Sequence, residues 1–185
     1  AEVLYSWFCP PGGSVLDPFS GGATRGVVAS SRGLPYVGVD IRAEQVASND
    51  EVASRLCPDA QPRWVLADAR GLAAAVGDYR ADFVLTCPPY WDLEQYSDDP
   101  KDLSNAPTYE AFLDGYGRAL AATVERLKSD RFMAVVTGAR RKGDRFCHIP
   151  MDTVRIVEAA GARLFNEIIL VTAFGTLPIR AASVF

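Results

Sequence analysis

The chain contains one histidine, His148, and only four cysteines, Cys9, Cys57, Cys87 and Cys147. The cysteines form no CxxC pair and no Cys/His metal spacing, so no metal site is expected and a reduced, cytoplasmic chain is the simplest reading. No apolar run approaches the roughly 18 residues that a membrane-spanning helix needs. The opening residues Ala1-Glu2-Val3-Leu4 lack the basic stretch of a secretion signal. They also lack an initiator Met, which leaves room for further sequence before Ala1 and after Phe185. Positive charge is not in excess either: the net charge is −4, which counts against an extensive phosphate-binding surface but leaves room for a local basic patch.

What is present suffices for one domain, expected over residues 1–185: 49% of the residues are hydrophobic, enough to bury a full core. Residues 1–8 read as a helix end, stopped by Pro10-Pro11-Gly12-Gly13. Short apolar runs predict strands over 14–17, 36–41, 63–67, 82–87, 131–137 and 163–173. Helical spacing predicts helices over 22–31, 43–56, 109–128 and 151–160. The polar stretches 91–108 and 139–149 read as long loops, which in a compact domain are more often functional than idle. Alternating strands and helices predict an α/β fold, a mainly parallel sheet with helices on both faces.

Two turns carry the chemistry. The first, Asp17-Pro18-Phe19-Ser20-Gly21-Gly22-Ala23-Thr24, follows the strand ending in Val15-Leu16. Its glycines permit a tight turn, and the helix after it presents an N-terminus suited to a carboxylate or a phosphate. Neither the dinucleotide GxGxxG pattern nor a phosphate loop fits, because no Lys follows the glycines. Two further acidic residues close the next two strands, Asp40 after Val37-Gly38-Val39 and Asp68 after Val65-Leu66-Ala67. An acidic residue there can accept hydrogen bonds from ribose hydroxyls or an adenine amine. Any one of these residues alone reads more readily as a turn or helix cap. Together with the glycine turn, the three fit an adenosine ligand with a charged amino-acid tail. The second turn is Cys87-Pro88-Pro89-Tyr90-Trp91, after Asp82-Phe83-Val84-Leu85.

These segments resemble the signature of DNA amino-methyltransferases. Asp17 to Thr24 is similar to their S-adenosylmethionine motif, DPFxGxGT, with Ala23 in place of the second glycine. Cys87-Pro88-Pro89-Tyr90 is similar to their catalytic Asp, Asn or Ser followed by Pro-Pro-Tyr or Pro-Pro-Phe. Trp7-Phe8 with Pro11-Gly12-Gly13 resembles the segment beside the methionine end of the cofactor. The resemblance implies a Rossmann-like class I methyltransferase that uses S-adenosyl-L-methionine and modifies DNA. It implies cofactor contacts at Asp17, Pro18, Phe19, Gly21, Thr24, Asp40, Ile41, Asp68 and Ala69. It places Cys87, Pro88, Pro89 and Tyr90 at the chemistry, and it leaves no room between the two motifs for a target-recognition domain. A partner subunit or a further segment would then supply recognition.

The reaction suggested is transfer to N4 of cytosine or N6 of adenine. Hydrogen-bond acceptors pyramidalise a delocalised amine, while Tyr90 stacks on a base rotated out of the duplex. Cys87 leaves two readings open. Either it stands in for Ser with the Pro88 carbonyl accepting, or it is a thiolate that attacks C6 of a pyrimidine for C5 methylation, with Asp92 or Glu94 near the ring. RNA as substrate and an inactive cofactor-binding partner are further alternatives. Tyr90 and Trp91 are expected at the substrate, and Arg140 and Arg141 at phosphates. His148 reads as a loop residue rather than a catalyst.

Overall fold

The computed structural model describes residues 1–59 and 61–171. Five strands, β1 (Val15–Asp17), β2 (Tyr36–Asp40), β3 (Arg63–Leu66), β4 (Ala81–Thr86) and β5 (Leu127–Val135), form one sheet in the order β3-β2-β1-β4-β5. Every pairing in it is parallel. The helices are α1 (Glu2–Phe8), α2 (Thr24–Ser31), α3 (Ala43–Leu56), α4 (Leu72–Val76), α5 (Tyr109–Val124) and α6 (Ile149–Ala159). No helix among the described residues is long and apolar enough to cross a membrane.

Side-chain alternation along the strands divides the core in two, because successive residues of a strand point to opposite faces. Val15, Phe83 and Leu85 pack with Tyr5, Ala29 and Trp64 on the side of α1, α2 and α3. Leu16, Val37, Val39 and Val84 pack with Leu72 and Val76 of α4 on the other. Buried on both faces, β1 and β4 carry the unalternated apolar runs Val15-Leu16 and Phe83-Val84-Leu85, as central parallel strands do. The α2 helix lies close to its layer: a Cβ on Gly26 would come within 2.6 Å of the Trp64 ring.

Caps set the helix starts. Thr108 Oγ1 accepts from the Ala111 amide at the head of α5, whose buried stripe runs Phe112, Tyr116, Ala119, Leu120 and Thr123. His148 is also a cap, its Nδ1 accepting from the Met151 amide at the start of α6.

Three expectations differ from the observed chain. The stretch 139–149 is not a plain loop: β6 (Arg140–Lys142) and β7 (Arg145–Cys147) form an antiparallel hairpin around Gly143, whose φ is 58°. Helix α5 ends at Val124 and β5 begins at Leu127, because the Arg126 carbonyl already accepts from the Ala81 amide. Asp130 then takes a φ of 56° within an irregular stretch of the β4–β5 pairing. Residues 163–171 form no strand; Leu164, Phe165 and Ile168 to Val171 are all more than half exposed, so pairing does not bury them. The last two residues of that expected strand lie outside the described residues.

At the foot of the sheet Asp82 joins three strands. It accepts from the Ser14 amide and hydroxyl before β1, and pairs with Lys128 (2.8 Å) and Arg131 (3.3 Å) of β5. The hydrogen bond from Lys128, with those from Ser14 and Arg131, outweighs burial and holds its carboxyl well below the usual carboxylate range. A depressed folded-state value stabilises the protein above the unfolded value near pH 4 and is lost on further acidification. Asp82→Asn is therefore expected to lower the melting temperature at neutral pH and to reduce its fall between about pH 5 and pH 2. Thermal melts across that range check this.

Candidate active site

After β3 the chain crosses to the far side of β1 and enters β4, so the strand order reverses between β1 and β4. In open α/β sheets ligands bind at such a reversal, outside the carboxyl ends of the strands. The two turns singled out in the sequence emerge there, side by side.

The first turn is built on Asp17, which is fully buried. Its Oδ1 accepts from the Thr86 hydroxyl at the end of β4 (2.7 Å) and from the Phe19 amide (3.2 Å). Its Oδ2 accepts from the Tyr36 hydroxyl on β2 (2.9 Å) and from Arg25 Nε on α2. Arg25 also donates to the Phe19 and Ser20 carbonyls. Burial opposes the guanidinium charge, but Asp17 beside it outweighs that and keeps Arg25 firmly protonated. Burial, followed by the Asp17 charge, pushes the Tyr36 hydroxyl well above its usual range. Gly21 then turns the chain with a φ of 47°, a conformation open to residues without a Cβ.

The second turn ends in a strained residue. Trp91 has a φ of 57°, rare for a bulky side chain and of the kind that collects at functional turns. It is buried, donates from Nε1 to the Ala106 carbonyl (3.0 Å) and packs on Tyr109. The Lys142 ammonium lies 4.4 Å from its ring centre. Just ahead, the Tyr90 hydroxyl is 3.8 Å from Cys87 Sγ. Burial, with the thiol beside it, raises the Tyr90 hydroxyl above its usual range.

One cleft of about 220 Å³ joins the two turns. Pro18, Phe19, Gly21, Asp40, Ile41, Asp68 and Ala69 line it, and so do Cys87 and Pro89. Asp40 accepts from the Gly21 amide (3.0 Å) and the Arg42 amide (2.9 Å). Burial still raises its carboxyl above the ordinary value. Asp68 is held by Arg70 through both carboxylate oxygens; burial raises its value, but the Arg70 hydrogen bonds prevail and lower it.

Other expected residues lie elsewhere. Asp17 has no surface left for a ligand, because four donors within the fold use its carboxylate. Thr24 is exposed on the other side of the turn, beside Val27, Val28, Val52 and Leu56. Pro88 is buried. Trp91 is committed to the Ala106 carbonyl and Tyr109 and has no free ring face for a base. Arg140 is paired with Asp92 (2.7 Å) and little exposed, so it is not a free phosphate ligand. Arg141 is exposed.

The structure adds residues that sequence reasoning missed. Arg25 lines the cleft, and its Nη1 makes no hydrogen bond among the described residues, unlike its other two nitrogens. Tyr96, Lys101, Asp102 and Leu103 cover the outer side of the cleft. Arg42 packs on the Tyr96 ring and Arg70 donates to the Lys101 carbonyl, tying this cover down. Of the cover residues, Tyr96 and the acidic loop after Trp91 are already expected from the sequence as a cover for the cleft or a contact with the substrate, whereas Lys101, Asp102 and Leu103 are not singled out by it.

The donor set fits an adenosine with an amino-acid tail. Cβ atoms on Gly21 or Gly22 would meet nothing within 4 Å, so the backbone there is open to a ligand. Asp40 can accept from hydroxyls, and Arg25 offers a cation for a carboxylate.

No protein-family profile and no curated protein matches the sequence. Solved structures match in fold. A protein described as a candidate rRNA methylase from Clostridium thermocellum superposes with a TM-score of 0.61 at 15% identity, over 85% of this chain and 78% of that one. Magnesium protoporphyrin IX methyltransferase from Synechocystis PCC 6803, solved with bound SAM, gives 0.59 at 19% identity, over 89% and 66%. The fold is that of the class I methyltransferases. The [4+2]-cyclase SpnF shares it, with a TM-score of 0.61 at 16% identity over 86% of this chain and 55% of its own. A methyltransferase fold therefore does not by itself name the reaction, and the residues in the cleft must.

The Asp17 network predicts a large stability effect. Asp17→Ala leaves the Arg25 guanidinium partly buried without its counter-charge and is expected to cost about 3–5 kcal/mol. Chemical denaturation of the two proteins measures it.

Proposed function

We propose that the chain is an S-adenosylmethionine-dependent methyltransferase acting on an exocyclic amino group of a base in DNA, N4 of cytosine or N6 of adenine. One observation carries the reading: the glycine turn after β1 and the Cys-Pro-Pro-Tyr turn after β4 line a single cleft at the point where the strand order reverses. When bound, the cofactor supplies a methyl group on a sulfonium, an electrophile ready for an amine.

The chain's own residues would bind and orient. Asp40 accepts from the ribose hydroxyls, with Ile41 against the adenine. Asp68 can accept from the adenine amine only while sharing its carboxylate with Arg70. Arg25 pairs with the ligand carboxylate. On the substrate side, the Cys87 thiol and a backbone carbonyl of the Pro-Pro turn accept from the target N–H groups, which directs the nitrogen lone pair into the cleft. Tyr90, kept neutral by burial, offers its ring to the base.

The C5 route has less support. It needs an acid near the pyrimidine ring. Asp92 is bound to Arg140 and Lys142, which together outweigh its burial and hold it ionised. Glu94 accepts from the Tyr96 hydroxyl at 2.7 Å.

The test has two stages. Calorimetry with S-adenosylhomocysteine is expected to show binding, and Asp40→Ala to weaken it by roughly 10- to 100-fold, the usual loss for a hydrogen bond to a charged group. Labelled methyl transfer, followed by nucleoside analysis, is then expected to find N4-methylcytosine or N6-methyladenine in DNA. Label in RNA alone, or none despite cofactor binding, overturns the DNA assignment. Cys87→Ser is expected to retain activity, whereas a C5 enzyme would lose it.

A further inference from the structure

The hairpin of β6 and β7 has two unlike faces. Its cross-strand pairs are Arg140 with Cys147, Arg141 with Phe146, and Lys142 with Arg145. Alternation puts the first and third pairs on one face and the middle pair on the other. The inner face is fastened to the segment after the Cys-Pro-Pro-Tyr turn. Arg140 and Lys142 both pair with Asp92, and Arg145 lies 4.9 Å from the Tyr109 ring centre and pairs with Glu110. Cys147 is buried there.

The outer face carries Phe146, 54% exposed. An isolated exposed apolar residue is ordinary, but this one has specific company. The Arg141 guanidinium lies 5.7 Å from its ring centre, and the His148 ring meets it edge-on at 5.7 Å. Of the four basic residues of the hairpin, Arg140 and Lys142 are neutralised by Asp92 and Arg145 by Glu110, which leaves the exposed Arg141 as the cation beside the ring. An exposed ring with a guanidinium beside it is an arrangement on which an unpaired base stacks while a neighbouring phosphate meets the charge.

We infer that Phe146 and Arg141 form a stacking platform for an unpaired base of the DNA strand, on the hairpin fastened beside the Cys-Pro-Pro-Tyr turn. The inference rests on the reading of the cleft as a DNA-base methylation site and extends it to how the strand is held open. The Arg141 cation against the exposed Phe146 ring favours a stacked base with its phosphate over an apolar ligand. The inner-face ion pairs hold the platform in register with the Cys87 turn through Asp92 and Trp91.

The test is a titration of the full chain with DNA oligonucleotides carrying 2-aminopurine at an unpaired position. Stacking on Phe146 is expected to change the probe's fluorescence. Phe146→Ala should abolish that change and weaken binding about tenfold or more, in keeping with the loss of one stacked base. Phe146→Trp should restore both, and Phe146→Leu, which keeps the bulk without the ring, should not. Arg141→Ala should reduce the slope of log K against log salt by about 1. S-adenosylhomocysteine binding should be unchanged in all four variants, since none lines the cleft. Wild-type-like binding by Phe146→Ala, absence of DNA binding, or a response to RNA but not DNA overturns the platform. Loss of cofactor binding or of methyl transfer in the unaltered chain overturns the enzyme reading instead, while the 2-aminopurine response still reports on the hairpin.

Discussion

The architecture of the site depends on one buried carboxylate. Asp17 is withdrawn completely from water, and a charge so placed is tolerable only when its oxygens are satisfied and a counter-charge is near. Its donors come from four places: its own turn, α2, β2 and the end of β4. A carboxylate that must satisfy all of them fixes the distance between the β1 and β4 tips. Those tips carry the glycine turn and the Cys-Pro-Pro-Tyr turn, so the scaffold under the cleft is an electrostatic joint rather than an apolar one. The same commitment removes Asp17 from ligand binding and leaves Asp40, Asp68 and Arg25 among the charged residues that line the cleft.

A second joint holds the outer part. Trp91, in its left-handed conformation, costs on the order of 1–3 kcal/mol of backbone strain, which its surroundings offset. The Ala106 carbonyl, the Tyr109 ring and the Lys142 ammonium hold it from three sides. Asp92, the next residue, ties the hairpin to the same turn. Acidic residues that made the loop look solvent-facing are in part internal partners: Asp92 for two hairpin cations, Asp102 for Ser97 and Ser104. The mild net negative charge thus says little about the charge presented beside the cleft, where Arg141 remains exposed.

Much of the fold was legible. The strands β1, β2 and β4 follow from short apolar runs because they are buried on both faces and need no alternation, while β3, at the sheet edge with Arg63 and Leu66 exposed, follows from Trp64-Val65-Leu66. Helix α5 follows from the spacing of Phe112, Tyr116 and Leu120. The hairpin was missed because its strands are three residues each and mostly basic, so hydrophobic patterning could not find them. The Gly143-Asp144 pair between Lys142 and Arg145 was the available signal, a two-residue hairpin turn. The run 163–173 misled in the opposite direction, since its hydrophobicity matches a strand and yet residues 163–171 lie unpaired. At the site, residue type was a good guide to the region and a poor guide to the task. Asp17, Trp91 and Arg140 all lie at or beside the two turns, and all three are spent on holding them together.

The sequence alone determined the alternation of strands and helices, the presence of two distinctive turns and the acidic residues at successive strand ends. These are local properties, set by side-chain type and by spacing along the chain. Only the tertiary structure decided that β4 lies against β1, which makes two turns about seventy residues apart into one cleft. It also decided which charges are consumed within the protein and which face outward. Both outcomes depend on burial and on partners distant in sequence, and a one-dimensional pattern does not record either.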